Sequence, residues 1–245
     1  MYKRQIEDRY FQNNVIDFDK DKYDKSGYRL FGGSVSFNGS TLNSRQFPIQ
    51  GAREALVAQI FTGNESFRPG VNSENKKPVK EKHSWLQLSY MKEKYHKMGA
   101  NWILGWYLDA VYASKNFSEN YTATMMQASE FAPTAHSKLT YNEAFRANQY
   151  VAAGIRPIYR LNQMFHVRGE FYGFLPIFPI ERNSINKAYY GKAFSRFEYL
   201  GEISVVCQLP FGAISAYVNH YSSPRREWNV GLTLGWQLFN YRFIE

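Results

Sequence analysis

The sequence lacks the motifs by which most enzymes and helical membrane proteins are recognised. Its longest nearly apolar run, residues 171–180, is far shorter than the ~20 residues that a membrane-spanning helix needs, and prolines interrupt it. There is no G-x-S-x-G nucleophile elbow, no P-loop, no G-x-G-x-x-G and no C-x-x-C, and the five histidines are scattered. We therefore predict that this chain is not an enzyme and that it holds no catalytic residues, cofactor or metal.

Cysteine and targeting signals are also scarce. The single cysteine, Cys207, allows no internal disulfide, and no signal peptide is visible. The first five residues, MYKRQ, resemble the translated end of a sequencing-library adapter, so we exclude residues 1–5 from fold reasoning. We interpret the chain as truncated at its N-terminus, with residues 6–26 a partial strand or linker. The acids of DFDKDKYDK, from residue 17 onwards, lack the glycine and terminal glutamate of a calcium loop.

Aromatic residues and positive charge are abundant instead. Aromatic residues make up 18% of the chain and the formal net charge is +9. Such a charge suits nucleic acid or anionic lipid head groups. The basic residues are spread over turns, loops and polar strand faces rather than forming one compact patch, so we predict lipid contact or a charged lumen and no nucleic-acid partner. The aromatic excess suits girdles at two membrane surfaces.

The clearest pattern lies in residues 145–176, which predict two long strands joined by a short turn. Successive side chains of a strand point to opposite faces. One face of the second strand carries Phe165 and Phe171, and the other carries His166, Arg168 and Glu170. Strands that are apolar outside and charged inside are typical of a membrane-spanning barrel, whereas a soluble sandwich has the same alternation with the faces reversed.

Strand-like runs of this kind recur along most of the chain. We predict about ten strands, each longer than the ~5–6 residues of an ordinary soluble strand; they lie near 27–41, 49–63, 84–95, 100–114, 121–131, 146–160, 164–176, 193–208, 211–222 and 227–241. Short turns at 161–163 and 209–212 alternate with long loops at 131–145 and 178–192, as in outer-membrane barrels. The long stretch 64–84 breaks this alternation and indicates a miscounted strand. We predict an all-β fold, an antiparallel transmembrane β-barrel that is partial, over residues 27–245.

Two sets of side chains follow from this fold. The candidate lumen charge network comprises Arg146, Arg156, His166, Arg168, Glu170 and Glu202. It would serve selectivity or contact with a plug, or pair charges structurally, and we favour structural pairing because buried charges need partners. The candidate lipid-facing and girdle residues are Trp102, Trp106, Tyr112, Phe165, Phe171, Tyr199, Trp228, Leu232, Leu234 and Trp236.

Several motifs together resemble a known family. SFRPG, HSWLQL, GWYLDAVYASKNF, NYTATMMQASEFAPTAHS, FRANQYVAAGIRPIY, LPFGAISAYVNHYS and GWQLFN are similar to the C-terminal surface-antigen barrel of patatin-like phospholipases from Bacteroidota. The resemblance covers most of residues 60–243. It implies a barrel of about 16 strands, of which about ten are present, and an N-terminal patatin domain whose Ser-Asp dyad has no counterpart here.

The resemblance also implies a location and partners. It places the chain in the bacterial outer membrane, in contact with outer-membrane lipid, lipopolysaccharide, the barrel assembly machinery and its own missing patatin domain. The expected function is the anchor or translocation barrel of such a phospholipase. The alternatives are an assembly or two-partner-secretion barrel without a lipase, and a soluble, aromatic-rich β-protein that binds glycan.

Overall fold

The computed structural model describes residues 2–10, 23–70, 77–210, 212–223 and 228–236. These residues form an all-β, antiparallel structure, which confirms the predicted fold class at that level. No helix in these ranges is long and apolar enough to cross a membrane.

The elements follow one another along the chain with one short helix among the strands. In order they are β1 (Tyr2–Tyr10), β2 (Asp24–Ser40), β3 (Gly51–Arg68), β4 (Val79–Lys97), β5 (Trp102–Ala113), α1 (Tyr121–Gln127), β6 (Ser129–Glu130), β7 (Arg146–Ala147), β8 (Gln149–Arg160), β9 (Phe165–Pro176), β10 (Ile180–Arg182), β11 (Ala188–Tyr190), β12 (Glu198–Leu209), β13 (Gly212–Tyr221) and β14 (Trp228–Trp236).

The long strands form one ten-stranded sheet in the order β1-β2-β3-β4-β5-β8-β9-β12-β13-β14. Each strand is therefore hydrogen-bonded to the long strands before and after it in the chain, as in an up-and-down meander. Two small hairpins, β6 with β7 and β10 with β11, lie outside this sheet. Over the described residues no pairing joins β1 to β14, so the sheet is open there and no closed barrel is seen. β1 includes residues 2–5, which the sequence sets apart as adapter-like.

One predicted strand is wrong. Residues 121–131, predicted as a spanning strand, form α1 and the two-residue β6 instead. Asn120 caps the helix by accepting a hydrogen bond from the Thr122 backbone N–H at 2.8 Å. Tyr121 and Met125, one helical turn apart, pack against Ile180. Thr122 and Thr124, at a spacing of two, imitate a strand, but the cap and this packing partner favour the helix.

Removing that strand resolves the broken alternation of loop lengths. The three shortest connections between long strands, 98–101, 161–164 and 210–211, lie at one end of the sheet, hereafter the short-turn end. The two longest, 114–148 and 177–197, lie at the other, the long-loop end. The miscounted strand was therefore 121–131. The stretch 64–84 comprises the end of β3, the connection 69–78 and the start of β4.

The two faces of the sheet differ sharply in chemistry. On β9, Arg168 and Glu170 are 2% and 5% exposed, whereas Phe171 between Glu170 and Tyr172 is 46% exposed. On β12, Glu202 is buried while its neighbour Ile203 is half exposed. We call the face with buried polar side chains the inner face and the other the outer face. The polar residues are inside and many large apolar residues are outside, which reverses the arrangement of a soluble sheet.

The inner face is filled by connections from both ends. Phe131, from the 114–148 connection, packs against Phe174, Tyr150 and Tyr172. From the short-turn end, the β2–β3 connection brings Gln46 against Gly235 of β14, where an added Cβ would lie 2.1 Å from its Oε1 atom. β3 and β14 would be ~34 Å apart in a flat sheet. The sheet must therefore curl around these connections.

A substitution at Gly63, on the inner face of β3, tests this close packing. An added Cβ at Gly63 would lie 2.1 Å from the backbone oxygen of Arg29, and a backbone atom cannot move aside. At Gly33, on the outer face of β2, nothing lies within 4 Å. We expect Gly63→Ala to lower the free energy of unfolding in urea by ~1–3 kcal/mol. Gly33→Ala, the control, should change it by no more than ~0.5 kcal/mol. Equal effects would contradict the assigned faces.

Candidate functional site

Four oppositely charged side chains meet on the inner face. Arg156 comes from β8, Arg168 and Glu170 from β9, and Glu93 from β4. Their exposed fractions are 5%, 2%, 5% and 7%. Because each sits at an inward position of its strand, the period of two carries all four to the same side. We call these four residues, with Tyr95 and Tyr172, the inner charge network.

Arg168 is held by three partners. Its Nε donates to Glu170 Oε1, and its Nη2 donates to the Tyr95 hydroxyl at 2.9 Å. Its Nη1 donates to the backbone oxygen of Pro48 at 2.8 Å. Arg168 thereby joins β9 to β4 and to the β2–β3 connection.

Arg156 forms the second centre of the network. Its Nη1 donates to Glu93 Oε2, and its Nε donates to the Tyr172 hydroxyl at 2.6 Å. Its Nε also lies 3.6 Å from Glu170 Oε2. The guanidinium lies 4.7 Å from the centre of the Tyr107 ring, a cation–π distance.

The two tyrosines connect these ion pairs. The Tyr95 hydroxyl donates to Glu93 Oε2 at 3.0 Å and accepts from both arginines. The Tyr172 hydroxyl donates to Glu170 and accepts from Arg156. Two arginines face two glutamates, so the network is neutral overall and each charge has an opposite partner. This arrangement satisfies buried charges, and it contains no nucleophile paired with a base.

The network fixes the β2–β3 connection inside the sheet. Besides the Pro48 contact, Leu42 and Ile49 pack against Tyr95, Ile103 and Ile158. Further along, Gln208 Nε2 of β12 donates to Ser44 Oγ at 3.3 Å. The connection is thus bound to β4, β5, β8, β9 and β12 on the inner face, and we call it the internal plug.

A cavity of about 280 Å³ remains between this plug and residues 132–138 of the long connection. Its charged lining includes the four charged residues of the network together with Arg45, Arg53, Lys138 and Glu202. Positive side chains outnumber negative ones there, so the cavity would favour an anionic or polar occupant.

The structure separates the six predicted network residues into two groups. Arg156, Arg168 and Glu170 lie together, and Glu202 lines the same cavity while accepting from Asn219 Nδ2 at 3.3 Å. Arg146 lies apart, where it bonds Glu130 Oε2 at 2.6 Å and the carbonyls at the end of α1. His166 is buried, and its Nε2 has no hydrogen-bond partner among the described residues.

Sequence reasoning missed Glu93, Tyr95 and the Pro48 carbonyl. The strand near 84–95 alternates poorly, because Lys92 and Lys94 occupy two of its outward positions. The spacing of two between Glu93 and Tyr95 is the signal that could have found them, since it matches Arg168 and Glu170 on β9. The Pro48 carbonyl has no sequence signal, because only the path of the chain brings it to Arg168.

A second polar cluster ties the long-loop end together. Glu65 accepts from the Tyr28 hydroxyl at 3.0 Å and lies 2.8 Å from His83 Nε2. The Tyr28 hydroxyl also bonds Ser118 Oγ of the 114–148 connection at 2.8 Å. Glu65, Glu81 and His83 could each offer one metal-ligand atom, all within 4.8 Å of one another. Glu65 and His83 already bond each other, and the positive charges of nearby lysines and arginines would repel a cation. The acids at positions 17, 19 and 21 lie outside the described residues.

Eight of the ten predicted lipid-facing residues are exposed on the outer face. Their exposed fractions run from 41% to 81%; they are Trp102, Tyr112, Phe165, Phe171, Tyr199, Trp228, Leu232 and Leu234. Trp106 is partly buried, and Trp236 is the last residue of β14. Whether these residues contact lipid stays a prediction.

No protein-family model, curated protein or solved structure matches this chain. The resemblance to surface-antigen barrels therefore stays a prediction that rests on the motifs quoted above.

Removing one member of the network should be costly. Arg168→Met leaves Glu170 buried with a single, more distant cation, so we expect the free energy of unfolding in urea to fall by ~3–5 kcal/mol. The double variant Arg168→Met/Glu170→Leu removes both charges and should lose less than the sum of the two single variants. Arg160→Met, at the end of β8, is the control and should cost under ~1 kcal/mol. Additive losses would contradict a coupled pair.

Lys115, in the connection after β5, gives a pH-dependent prediction. Burial lowers the pKa of Lys115 to about 8 from 10.5, although Glu65 opposes the shift. Between these values the unfolded chain binds more protons than the folded one, so the free energy of unfolding rises with pH there. The gap in the free energy of unfolding between the unsubstituted chain and Lys115→Met should therefore shift in favour of the unsubstituted chain as the pH rises from about 8 to 10.5. Urea unfolding over this pH range measures it, and a constant gap would refute the shift.

Proposed function

We propose that this chain is the membrane-embedded part of an outer-membrane β-barrel, whose work is to anchor an attached domain. The observation that carries the proposal is the reversal of the two faces of the sheet. Val230, Leu232 and Leu234 are 82%, 81% and 70% exposed on the outer face, while arginines and glutamates are buried on the inner face. This arrangement is favourable where the outer face contacts hydrocarbon and the polar side chains fill an enclosed interior.

The apolar outer surface is continuous across neighbouring strands. In the pairing registers, Ile203 of β12 lies opposite Gly169 and Val218, and Val205 lies opposite Val167 and Ala216. Ile214 and Ala216 continue the surface to Leu234 and Leu232 of β14. An exposed apolar area of this extent is rare on a monomer in water and marks a surface that something apolar covers.

The height of this apolar outer surface fits the hydrocarbon layer of a bilayer. On the outer face of β4, lysines at positions 82 and 92 flank Ser84, Leu86, Leu88 and Tyr90. The ten residues from one lysine to the other span ~33 Å along the strand, which the ~40° tilt typical of membrane barrels would reduce to ~25 Å. That is the height of the apolar band of outer-membrane barrels.

Aromatic side chains border the band at both ends. Trp102 and Tyr159, whose ring centres are 5.0 Å apart, lie at the short-turn end. Tyr199, His220 and Trp228 lie in a row at the long-loop end, with ring centres 6.0 Å and 4.8 Å apart. Amphipathic rings of this kind prefer the two membrane–water interfaces.

The filled interior favours an anchor over a permanently open channel. The plug formed by the β2–β3 connection is bound by Arg168, and Phe131 packs within the opposite half. The family resemblance supports the same role, since it implies that the barrel carries a patatin-type lipid acyl hydrolase in the outer membrane. A soluble glycan-binding protein would need its apolar stripes inside, which is the reverse of what the two faces carry.

A lysine at the middle of the band distinguishes a bilayer from water. Ile203 is half exposed, so in a soluble protein Ile203→Lys would change stability by no more than ~0.5 kcal/mol. In a bilayer the same charge near the midplane should cost ~2–4 kcal/mol. We expect Ile203→Lys to reduce folding into phosphatidylcholine vesicles, measured by urea titration of folded protein bound to the vesicles.

Phe197→Lys is the matched control. Phe197 is 62% exposed and lies just before β12, at the long-loop end, where a charge should cost at most ~1 kcal/mol. A depth-dependent difference between these two variants supports the proposal. Identical stabilities, or full recovery of the protein without detergent, would overturn it.

A further inference from the structure

Five basic side chains form a compact group at the long-loop end of the outer face. They are Lys25 and Arg29 of β2, Arg68 of β3, and Lys80 and Lys82 of β4, and we call them the basic rim. They border a groove of about 730 Å³ that also contains Asn64 and Ser66. All but the half-buried Lys25 are exposed.

The strand registers bring these charges together. Arg29 lies opposite Asn64, which lies opposite Lys82, and Lys25 lies opposite Arg68. With ~4.8 Å between strands and ~7 Å between successive outward residues, the backbones of all five lie within ~9 Å of Ser66. Their long side chains can therefore converge on one anionic group.

Most of the positive charges of the basic rim have no carboxylate partner among the described residues. Within the described ranges, Arg29, Arg68, Lys80 and Lys82 form no ion pair with a carboxylate. Two glutamates border the groove: Glu65 is bonded to Tyr28 and His83, and Glu81 is exposed. At the opposite end of β4, by contrast, Lys92 is paired with Glu54 at 3.2 Å.

The basic rim lies two rows of outward residues above Ile60 and Leu86 of the apolar band. The next outward residues below it are Phe31, Thr62 and Ser84, and the row after that contains Ile60 and Leu86. Phe31, Ile60 and Leu86 are 37%, 64% and 37% exposed. A cationic group directly above an apolar surface matches a molecule with an anionic head and hydrocarbon chains.

We propose that the basic rim binds the phosphate of an anionic lipid in the leaflet at the long-loop end, with the acyl chains lying along the apolar rows below. Arginine and lysine both bind phosphate, and the arginine fork matches its oxygens. This inference rests on the proposed membrane location and assigns it a specific lipid site.

The test compares two charge-matched variants of the same strand. Lys80→Gln/Lys82→Gln neutralises two rim lysines, and Lys94→Gln/Lys97→Gln neutralises two exposed lysines at the other end of β4. The protein in non-ionic detergent micelles is titrated with bisphosphorylated lipid A, with phosphatidylcholine or with inorganic phosphate, and bound lipid is read by native mass spectrometry. We expect the rim variant to bind lipid A about 30-fold more weakly, with the control variant unchanged.

Each outcome decides a different point. If both variants bind lipid A equally, or if inorganic phosphate binds the unsubstituted protein as tightly as lipid A does, the lipid-phosphate site is refuted. Equal binding of phosphatidylcholine by all three proteins, with loss of lipid A only in the rim variant, supports it. If none of the proteins takes up any lipid, the membrane proposal fails, and this inference fails with it.

Discussion

The structure depends on the pairing of charges inside a curled sheet. Arg156 and Arg168 bring two guanidinium groups to the inner face, where an unpaired ion would be strongly unfavourable. Glu93 and Glu170 neutralise them, and the hydroxyls of Tyr95 and Tyr172 use the remaining donors and acceptors. Since these residues come from β4, β8 and β9, satisfying the charges also fixes how those strands curve toward one another.

The same network explains why the interior is filled. One donor of Arg168 has no carboxylate to reach and bonds the Pro48 carbonyl instead, which holds the β2–β3 connection inside the sheet. From the opposite end, Phe131 completes an aromatic cluster with Tyr150 and Phe174. The polar interior is therefore a packed core of mixed chemistry, and the apolar residues that a soluble protein would bury remain on the outer face.

The outer face, which carries the apolar residues, is divided into zones along the length of its strands. Apolar rows occupy the middle of the strands, aromatic rings lie near both ends, and lysines and arginines lie beyond them on β2, β3 and β4. Each zone suits a different layer of a bilayer: hydrocarbon, interface and charged head groups. The proposed anchoring role of the sheet and the proposed lipid-phosphate site at its rim thus both rest on this one pattern.

The period of two along each strand could be predicted from the sequence alone, because adjacent side chains must point to opposite faces. That rule predicted the all-β antiparallel class and the inward positions of Arg156, Arg168, Glu170 and Glu202. The same rule misled at residues 121–131, where the spacing of Thr122 and Thr124 resembles a strand but the Asn120 cap and the contact with Ile180 stabilise a helix. Local pattern cannot reveal a packing partner that lies far away in the chain.

Which charges meet was decided only by the tertiary structure. Arg156 and Glu93 are 63 residues apart, and Arg168 and Pro48 are 120 apart. Their contact depends on strand order, register and curvature together, none of which a single strand records. The sequence by itself determined which side chains point inward; the folded sheet determined which of them become partners, because an ion buried on the inner face must find its opposite charge across the strands.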